Sequence, residues 1–237
     1  MRKAIIIGAS SGIGLELARR MYAKGYAVGL AGRRVELLKG LQKELQGRSY
    51  VKRIDVADPS AMDQLKELIA EMGGADVVIV SSGTGFINPG LEWGKEKETI
   101  DVNVSGFAAM ANVAFEYFRG RGSGHLVGIS SIAAIRGGGE APAYNASKAF
   151  ASNYLEGLRQ KAGKLKLPIT VTDIQPGFVD TAMAQGEGLF WVAPARKAAR
   201  QIFSAIEKKK SHAYVTKRWR LIAWLLKLIP GRLYCKL

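Results

Sequence analysis

Gly8-Ala9-Ser10-Ser11-Gly12-Ile13-Gly14 follows directly on the short apolar run Lys3–Ile7. The run predicts a buried strand, and the pattern from residue 12 to residue 24 predicts a helix. Glycines let the backbone turn sharply and approach a ligand closely, while a helix N-terminus presents free N–H groups and a partial positive charge. A glycine-rich turn between the first strand and the first helix therefore predicts a pyrophosphate site. The predicted contacts are Gly8, Ser10, Ser11, Gly12, Ile13 and Gly14.

Beyond this turn, short β-branched runs alternate with longer helical patterns. Strands are predicted over 3–7, 27–31, 50–54, 76–80, 124–130 and 169–174, with a short edge strand over 213–215; one long helix is predicted over 95–118 and another over 144–161. Strands separated by helices of this length indicate a parallel sheet with helices on both faces. We expect an α/β fold, a Rossmann-like doubly wound parallel sheet, in a single domain over residues 1–215. An amphipathic basic C-terminal tail follows over 216–237.

Composition excludes several classes of protein. The chain has 237 residues, of which 48% are hydrophobic and 23% charged, which is ordinary for a folded domain. The single cysteine, Cys235, cannot form an internal disulfide, and the two histidines are far apart, so we expect no metal site. The apolar N-terminal run is too short for a signal peptide. No apolar segment of about 20 residues is present to span a membrane, and we expect a cytoplasmic protein.

The end of the second strand indicates which dinucleotide is bound. Cofactors with a free ribose 2′-hydroxyl usually meet an Asp or Glu there, whereas this chain has Gly32-Arg33-Arg34. Guanidinium groups offer paired donors to a phosphate, which favours NADP(H) over NAD(H). Arg33 is the stronger candidate because it comes first, and one of the two arginines could be a solvated loop charge. Asp55 with Val56, and Ser82 with Gly83, follow the third and fourth strands and are predicted to contact the adenosine.

Polar residues with catalytic chemistry follow the fifth strand. Tyr144 and Lys148 are four residues apart on a predicted helix and therefore share a face. A free tyrosine has a pKa of about 10, and a nearby ammonium would lower it toward neutrality. Ser131 lies thirteen residues before Tyr144. Its neighbour Ser130 is the rival candidate, but strand alternation sends the two side chains to opposite faces.

With these motifs in order, the chain resembles the short-chain dehydrogenase/reductase family over roughly residues 3–215. The resemblance rests on the glycine loop, Asp55, Asn103-Val104, Ile129-Ser130-Ser131, Tyr144 with Lys148, and Pro176-Gly177 leading through Val179 to Thr181. It implies an oxidoreductase that interconverts a ketone or aldehyde and an alcohol, working as a homodimer or homotetramer. The chain departs from the family in having Val80-Ser81 where two asparagines are common, which puts local hydrogen bonding in doubt.

The resemblance also implies residue roles. Tyr144 would be the general acid/base, Lys148 would hold the nicotinamide ribose and lower the pKa of the tyrosine, and Ser131 would orient the carbonyl. Asn103, inside the predicted long helix, would position a water connecting Lys148 to solvent. Pro176, Gly177, Val179 and Thr181 would contact the nicotinamide half, with Thr181 holding its carboxamide. The alternatives are a catalytically silent NADP-binding sensor or scaffold, or a protein whose function is membrane-surface interaction through its tail.

The segments predicted to surround the substrate indicate its polarity but not its identity. In the resembling family the segment after Thr181 forms a lid, and here it carries Met183, Leu189, Phe190 and Trp191. These side chains favour an apolar substrate, although they could equally pack against the core. Residues 85–93 and 135–140 are predicted to form the other walls.

The tail carries much of the positive charge. The net charge is +15, and residues 196–237 hold twelve Lys and Arg against the single acid Glu207. In 217–229, Lys217, Arg220 and Lys227 share a helix face beside a wide apolar arc, with Trp224 at the polar margin. This composition is typical of a helix in a membrane interface, attracted to anionic lipid at the inner face of a membrane. A helix docked on the body or on another subunit is the alternative, and nucleic acid is not an expected partner.

Overall fold

A computed structural model describes residues 1–181 and 190–235. Its strands are β1 (Lys3–Ile7), β2 (Ala27–Gly32), β3 (Ser49–Arg53), β4 (Val77–Val80), β5 (Gly124–Ile129), β6 (Ile169–Pro176), β7 (Val179–Asp180), β8 (Ala193–Pro194) and β9 (His212–Val215). The main sheet has seven parallel strands in the order β3-β2-β1-β4-β5-β6-β9, and β7 and β8 form a separate pair. Every predicted strand is present, with ends shifted by at most two residues.

Helices cover both faces of the sheet, which confirms the doubly wound α/β prediction. They are α1 (Gly12–Ala23), α2 (Val35–Leu45), α3 (Ala61–Glu71), α4 (Trp93–Ile100), α5 (Phe107–Arg121), α6 (Pro142–Lys164), α7 (Ala195–Glu207), α8 (Trp219–Leu228) and α9 (Gly231–Tyr234). One apolar core lies between the sheet and α3, α5 and α6, and a second lies between the sheet and α1, α2 and α7. The predicted long helix over 95–118 is interrupted, because a π-helical turn over Asp101–Gly106 separates α4 from α5.

The strand order places a crevice at the carboxyl end of β1. From β1 the chain winds outward through β2 to β3, and then returns to β4 on the other side. Ligands of such sheets bind where the winding direction changes. The loops after β1 and β4 are held together there, because the Ser81 N–H donates to the carbonyl of Ile7 at 2.8 Å. The glycine loop therefore lies at the switch point.

The tail continues the domain and packs against its body. Trp219 and Ala223 of α8 are buried with Ile132 in a small apolar cluster. The indole of Trp219 lies directly on the backbone of Gly177, where an added Cβ would come within 2.0 Å of the ring. Across residues 1–181 and 190–235, no helix is both long and apolar enough to cross a membrane. In the same part of the chain, no cluster of His, Cys, Asp and Glu is placed to hold a metal ion.

His125 gives the fold a specific dependence on pH. It is buried in β5, and its Nε2 lies 2.8 Å from the hydroxyl of Thr172, which itself donates to the carbonyl of Lys210. Burial lowers the pKa of His125 to about 4 from the ordinary 6.5. Below pH 6.5 the unfolded chain binds a proton at this histidine and the folded chain does not. We therefore expect the free energy of unfolding to fall between pH 6.5 and 4, by about 3 kcal/mol.

We therefore expect His125→Gln, which keeps a donor for Thr172, to flatten this part of the stability profile. The measurement is the free energy of unfolding in urea at intervals from pH 7.5 to pH 4 for both proteins. The carboxylates are the same in both proteins, so the difference between the two curves of unfolding free energy against pH isolates His125. Parallel curves would show that His125 does not cause the loss of stability.

Candidate active site

A cavity of about 990 Å³ opens at the carboxyl ends of the strands. Nearly all predicted site residues line it. They are Gly8, Ser10, Ser11, Gly12, Ile13, Gly14, Arg33, Arg34, Asp55, Val56, Ser82, Gly83, Ser131, Tyr144, Lys148, Pro176, Gly177, Val179 and Thr181. Asn103 is not among the lining residues. The predicted groups, although distant in sequence, therefore face one space.

The glycine loop is packed too closely for side chains. A Cβ on Gly14 would lie 2.1 Å from the carbonyl oxygen of Gly8, and a Cβ on Gly8, which has φ +95°, would lie 2.6 Å from the nitrogen of Ser82. At the start of α1, the N-cap residue Ser11 makes no side-chain cap bond. The first N–H groups of α1 therefore remain available to an anion.

Two further features of this end of the cavity fit a dinucleotide. In the part of the chain that the structure describes, the buried Ser82 hydroxyl has no hydrogen-bond partner. Such a group usually needs one, and a ligand in the cavity could supply it. The Asp55 carboxylate accepts a bond from the Ala57 N–H at 3.2 Å and faces the cavity beside Val56. The residues present thus match a dinucleotide in shape and in donors.

The two arginines after β2 are not equivalent. Arg34 is bound to the glycine loop, since its Nη2 donates to the Ser10 hydroxyl at 2.8 Å and to the Ser11 hydroxyl at 2.6 Å. Arg33 also lines the cavity, and both arginines are exposed. The sequence ranked Arg33 first, whereas the structure gives Arg34 the fixed position. Its guanidinium lies beside the helix terminus, where it adds to the attraction for a phosphate.

Tyr144 and Lys148 stand on the first turns of α6 and face the cavity together. The Lys148 Nζ lies 5.6 Å from the centre of the Tyr144 ring and donates to the carbonyl of Ile129 at 3.3 Å. Helical spacing of four residues brings them onto one face, as predicted. This is the arrangement in which an ammonium can act on a phenol.

Burial controls the protonation of both groups. It raises the pKa of Tyr144, and a hydrogen bond with Ser131 offsets part of that rise. Burial likewise lowers the pKa of Lys148 to about 8, against a weaker upward effect of Asp173. The expected lowering of the Tyr144 pKa is therefore not present in this structure, because desolvation is the largest effect on this phenol. Tyr144 consequently keeps its proton at neutral pH, the state that a proton donor needs.

The adjacent serines after β5 have different environments. The Ser130 hydroxyl donates to the buried carboxylate of Asp173 and to the carbonyl of Ile174 at 3.1 Å. The Ser131 hydroxyl accepts from the Ala133 N–H at 3.1 Å and reaches the Pro176 carbonyl at 3.5 Å, a long contact. The Ser130 hydroxyl is thus bonded inside the protein, although Ser130 also lines the cavity. Ser131 lines the cavity too, and its hydroxyl also bonds with Tyr144, so it is the serine placed beside the phenol.

Asn103 connects two walls of the site from behind. Its Nδ2 donates to the Thr84 carbonyl at 2.7 Å and to the Ser147 hydroxyl at 3.0 Å, and its Oδ1 accepts from the Thr84 N–H at 2.9 Å. It therefore ties the loop after β4 to helix α6. The role expected of Asn103, to position a water that connects Lys148 to solvent, stays a prediction. Asn145 also braces the site, donating to the carbonyls of Ala133 and Arg136 at 3.2 and 2.9 Å.

The residues predicted to surround the substrate are largely apolar. The predicted walls over 85–93 and 135–140 contribute Gly85, Phe86, Ile87, Arg136, Gly138, Gly139 and Glu140, and the segment before α7 contributes Phe190. Met183 and Leu189 lie outside the described residues, and Trp191 packs against Phe190. Sequence reasoning missed Phe178 and the tail residues Trp219, Ile222, Leu226 and Tyr234. Residues 219, 222 and 226 are three and four positions apart, and this spacing could have indicated that one side of the tail helix faces the body.

Gly85 offers a test of how Tyr144 is positioned. A Cβ at Gly85 would lie 2.6 Å from Cδ2 of the Tyr144 ring, so Gly85→Ala must displace that ring. A misplacement of this size in an active site costs about 10²-fold in turnover. Gly90→Ala in the same loop is the matched control, because nothing lies within 4 Å of its added Cβ. We expect lost oxidoreductase activity in the first variant only, with similar melting temperatures. Equal activities would show that the Tyr144 ring position is not limiting.

Comparison with known proteins agrees with this geometry. The family model described as short chain dehydrogenase matches residues 2–189. An uncharacterized oxidoreductase of Mycobacterium tuberculosis is 34% identical over 98% of this chain and 95% of its own length. Another from Myxococcus xanthus is 37% identical over 77% of this chain and 74% of its own.

Two solved structures share the fold. A short-chain dehydrogenase from Sphingobium yanoikuyae in complex with NADPH has a TM-score of 0.80 at 21% identity, covering 98% of this chain and 97% of its own. A 3-ketoacyl-(acyl-carrier-protein) reductase from Brucella melitensis, complexed with NADH, has a TM-score of 0.80 at 17% identity, covering 91% and 97%. The family model and the Mycobacterium tuberculosis relative together show that the chain belongs to the short-chain dehydrogenase family of oxidoreductases.

Proposed function

We propose that this protein is an NADP(H)-dependent oxidoreductase that interconverts an apolar ketone or aldehyde and its alcohol. The observation that carries the proposal is the grouping of Tyr144, Lys148 and Ser131 in the same cavity as the glycine loop. The loop would hold the pyrophosphate of the dinucleotide, which supplies or accepts the hydride when bound. The three polar residues handle the proton and the oxygen atom of the substrate.

In the reductive direction the side chains act on the carbonyl oxygen. The Tyr144 hydroxyl, kept protonated by burial, donates its proton to that oxygen as the carbon is reduced. The Ser131 hydroxyl donates a hydrogen bond to the same oxygen and orients it. The charge left on the Tyr144 oxygen is stabilised by the Lys148 ammonium, which lies 5.6 Å from the ring centre. In the oxidative direction the same groups act in reverse.

Preference for NADP(H) is supported by the chemistry at the end of β2. This position carries Arg33 and Arg34 and no carboxylate, so it lacks the usual acceptor for a free ribose 2′-hydroxyl. Arg34 is already oriented by Ser10 and Ser11 at the edge of the loop. A 2′-phosphate would receive charge-assisted hydrogen bonds there.

An apolar substrate is supported by the aromatic side chains of the cavity lining. Phe86, Phe178, Phe190 and Trp219 line the cavity, and Phe178 and Phe190 pack edge to face at 5.8 Å. Apolar walls with few polar groups favour ligands that lose little hydration on entering. Homodimer or homotetramer assembly also remains a prediction, which mass measurement in solution can test.

A panel of ketones and aldehydes of increasing apolar size tests the proposal. NADPH consumption is followed by absorbance for each compound, with NADH in parallel. We expect turnover of the larger apolar compounds and faster turnover with NADPH. Tight NADPH binding without turnover of any compound would instead favour the catalytically silent sensor.

A further inference from the structure

Helix α8 is apolar on two opposite sides. On the inner side Trp219 and Ala223 are buried, and Ile222 and Leu226 line the cavity. These four residues are spaced three or four apart, so they form one stripe along the helix. The inner side is thus a wall of the substrate space.

The outer side of α8 carries a second stripe without cover. It consists of Leu221, Trp224, Leu225 and Leu228, whose exposed fractions are 70%, 67%, 56% and 71%. Their spacing of three and four residues again places them on one face, about 180° from the inner stripe. Single exposed leucines are ordinary on a protein surface, but a contiguous apolar stripe marks an interaction site.

The charges around this outer stripe indicate what covers it. Residues 216–235 contain no acidic residue and five basic ones, Lys217, Arg218, Arg220, Lys227 and Arg232, all of them exposed. Within 1–181 and 190–235, none of the five forms a salt bridge. A second copy docked on this face would bring equal positive charges together, whereas an anionic lipid surface would be attracted.

We propose that the outer stripe of α8 inserts into the interface of an anionic lipid bilayer while its inner stripe remains the cavity wall. An amphipathic helix with leucine, tryptophan and flanking cations is suited to lie in that interface. The cavity then adjoins the bilayer, and the enzyme takes a membrane-dissolved long-chain carbonyl or alcohol. This second statement rests on the proposed function, whereas bilayer docking does not.

Co-sedimentation of the full chain with vesicles tests the docking. The vesicles are phosphatidylcholine alone or phosphatidylcholine with phosphatidylglycerol. We expect binding to the anionic vesicles, weakened about 10- to 100-fold in the double variant Leu221→Glu/Leu228→Glu, since both side chains leave the lipid. The matched control is Leu37→Glu/Leu165→Glu, which places the same charges on exposed leucines of other elements. Equal binding by the two variants, or absent binding by the unmodified protein, would overturn the proposal.

A second pair of variants tests the contribution of charge. Replacing Lys217, Arg220 and Lys227 by Gln removes three cations at the stripe, and replacing Lys43, Lys161 and Lys164 by Gln removes three exposed cations elsewhere. We expect the first set to weaken binding to anionic vesicles by about tenfold or more and the second to have a much smaller effect. The outer stripe could instead be a contact between two copies of the chain. In that case sedimentation velocity will show an oligomer for the unmodified protein and a smaller species for Leu221→Glu/Leu228→Glu, and the unmodified protein will not bind vesicles. That result refutes the proposal.

Activity separates bilayer docking from the proposed chemistry. A long-chain aldehyde is presented in anionic vesicles and a short, freely soluble aldehyde in buffer, both with NADPH. We expect Leu221→Glu/Leu228→Glu to lower kcat/KM about tenfold or more for the vesicle-borne aldehyde and to leave the soluble one unchanged, because neither leucine lines the cavity. Equal rates of the two proteins on the vesicle-borne aldehyde would refute delivery from the bilayer. Vesicle binding without oxidation of NADPH by either aldehyde would refute the proposed function and leave docking established.

Discussion

Replacing Tyr144 by Phe is expected to abolish carbonyl reduction while leaving NADPH binding intact. The variant removes only the hydroxyl that gives its proton to the substrate, and loss of such a general acid lowers the rate by about 10²- to 10⁴-fold. The ring itself stays, so its packing against Gly85 and its place beside Lys148 are retained. The measurements are kcat from NADPH absorbance and the Kd of NADPH from calorimetry.

Tyr154→Phe provides the control for this experiment. Tyr154 lies on the same helix, stacked on Phe150 at 5.5 Å, and does not line the cavity. Its loss should leave both kcat and NADPH affinity unchanged. If Tyr144→Phe kept a kcat within a few-fold of the parent, another group would have to be the proton donor and the proposed mechanism would be wrong.

The second large effect concerns the choice between the two dinucleotides. Arg33→Ala/Arg34→Ala removes both guanidinium groups after β2, and hydrogen bonds to a charged partner contribute about 1.5–3 kcal/mol. We expect the Kd of NADPH to rise about 10- to 100-fold while the Kd of NADH changes little. The preference for NADPH over NADH should therefore disappear, while the variant still reduces carbonyl compounds.

Measuring both dinucleotides separates two possible causes of weaker NADPH binding. Arg34 also holds Ser10 and Ser11, so its removal could loosen the glycine loop. A loosened loop would weaken NADH as much as NADPH, whereas a lost phosphate contact weakens NADPH alone. Arg48→Ala is a suitable control because this exposed arginine packs on Tyr22, away from the cavity. Equal losses for NADPH and NADH would contradict the assignment of the 2′-phosphate site.

Local patterns predicted the fold well because periodicity directly reflects burial. Each β-branched run became a strand, and the parallel order then brought every strand end to one edge. The same reasoning separated Ser131 from Ser130, since alternation along an extended chain is a purely local property. Spacing along a helix likewise paired Tyr144 with Lys148.

Other properties depended on packing that no local pattern contains. The pKa of Tyr144 follows from how much solvent the assembled cavity excludes, which spacing alone does not show. The bonds from Arg34 to Ser10 and Ser11 join residues 24 and 23 positions apart, so they depend on tertiary packing that the local sequence does not show. For the tail, the pattern predicted an amphipathic helix but not that one side of it forms part of the cavity wall. Both stripes consist of apolar residues, and only the folded structure shows which of them packs against the body.

The indole of Trp219, seated on Gly177 at the wall of the cavity, has an optical consequence. Tryptophan emission overlaps the absorption band of reduced nicotinamide, so a nicotinamide bound nearby would quench Trp219 fluorescence through energy transfer. The protein thus carries its own spectroscopic reporter, and cofactor occupancy could be followed without an attached dye.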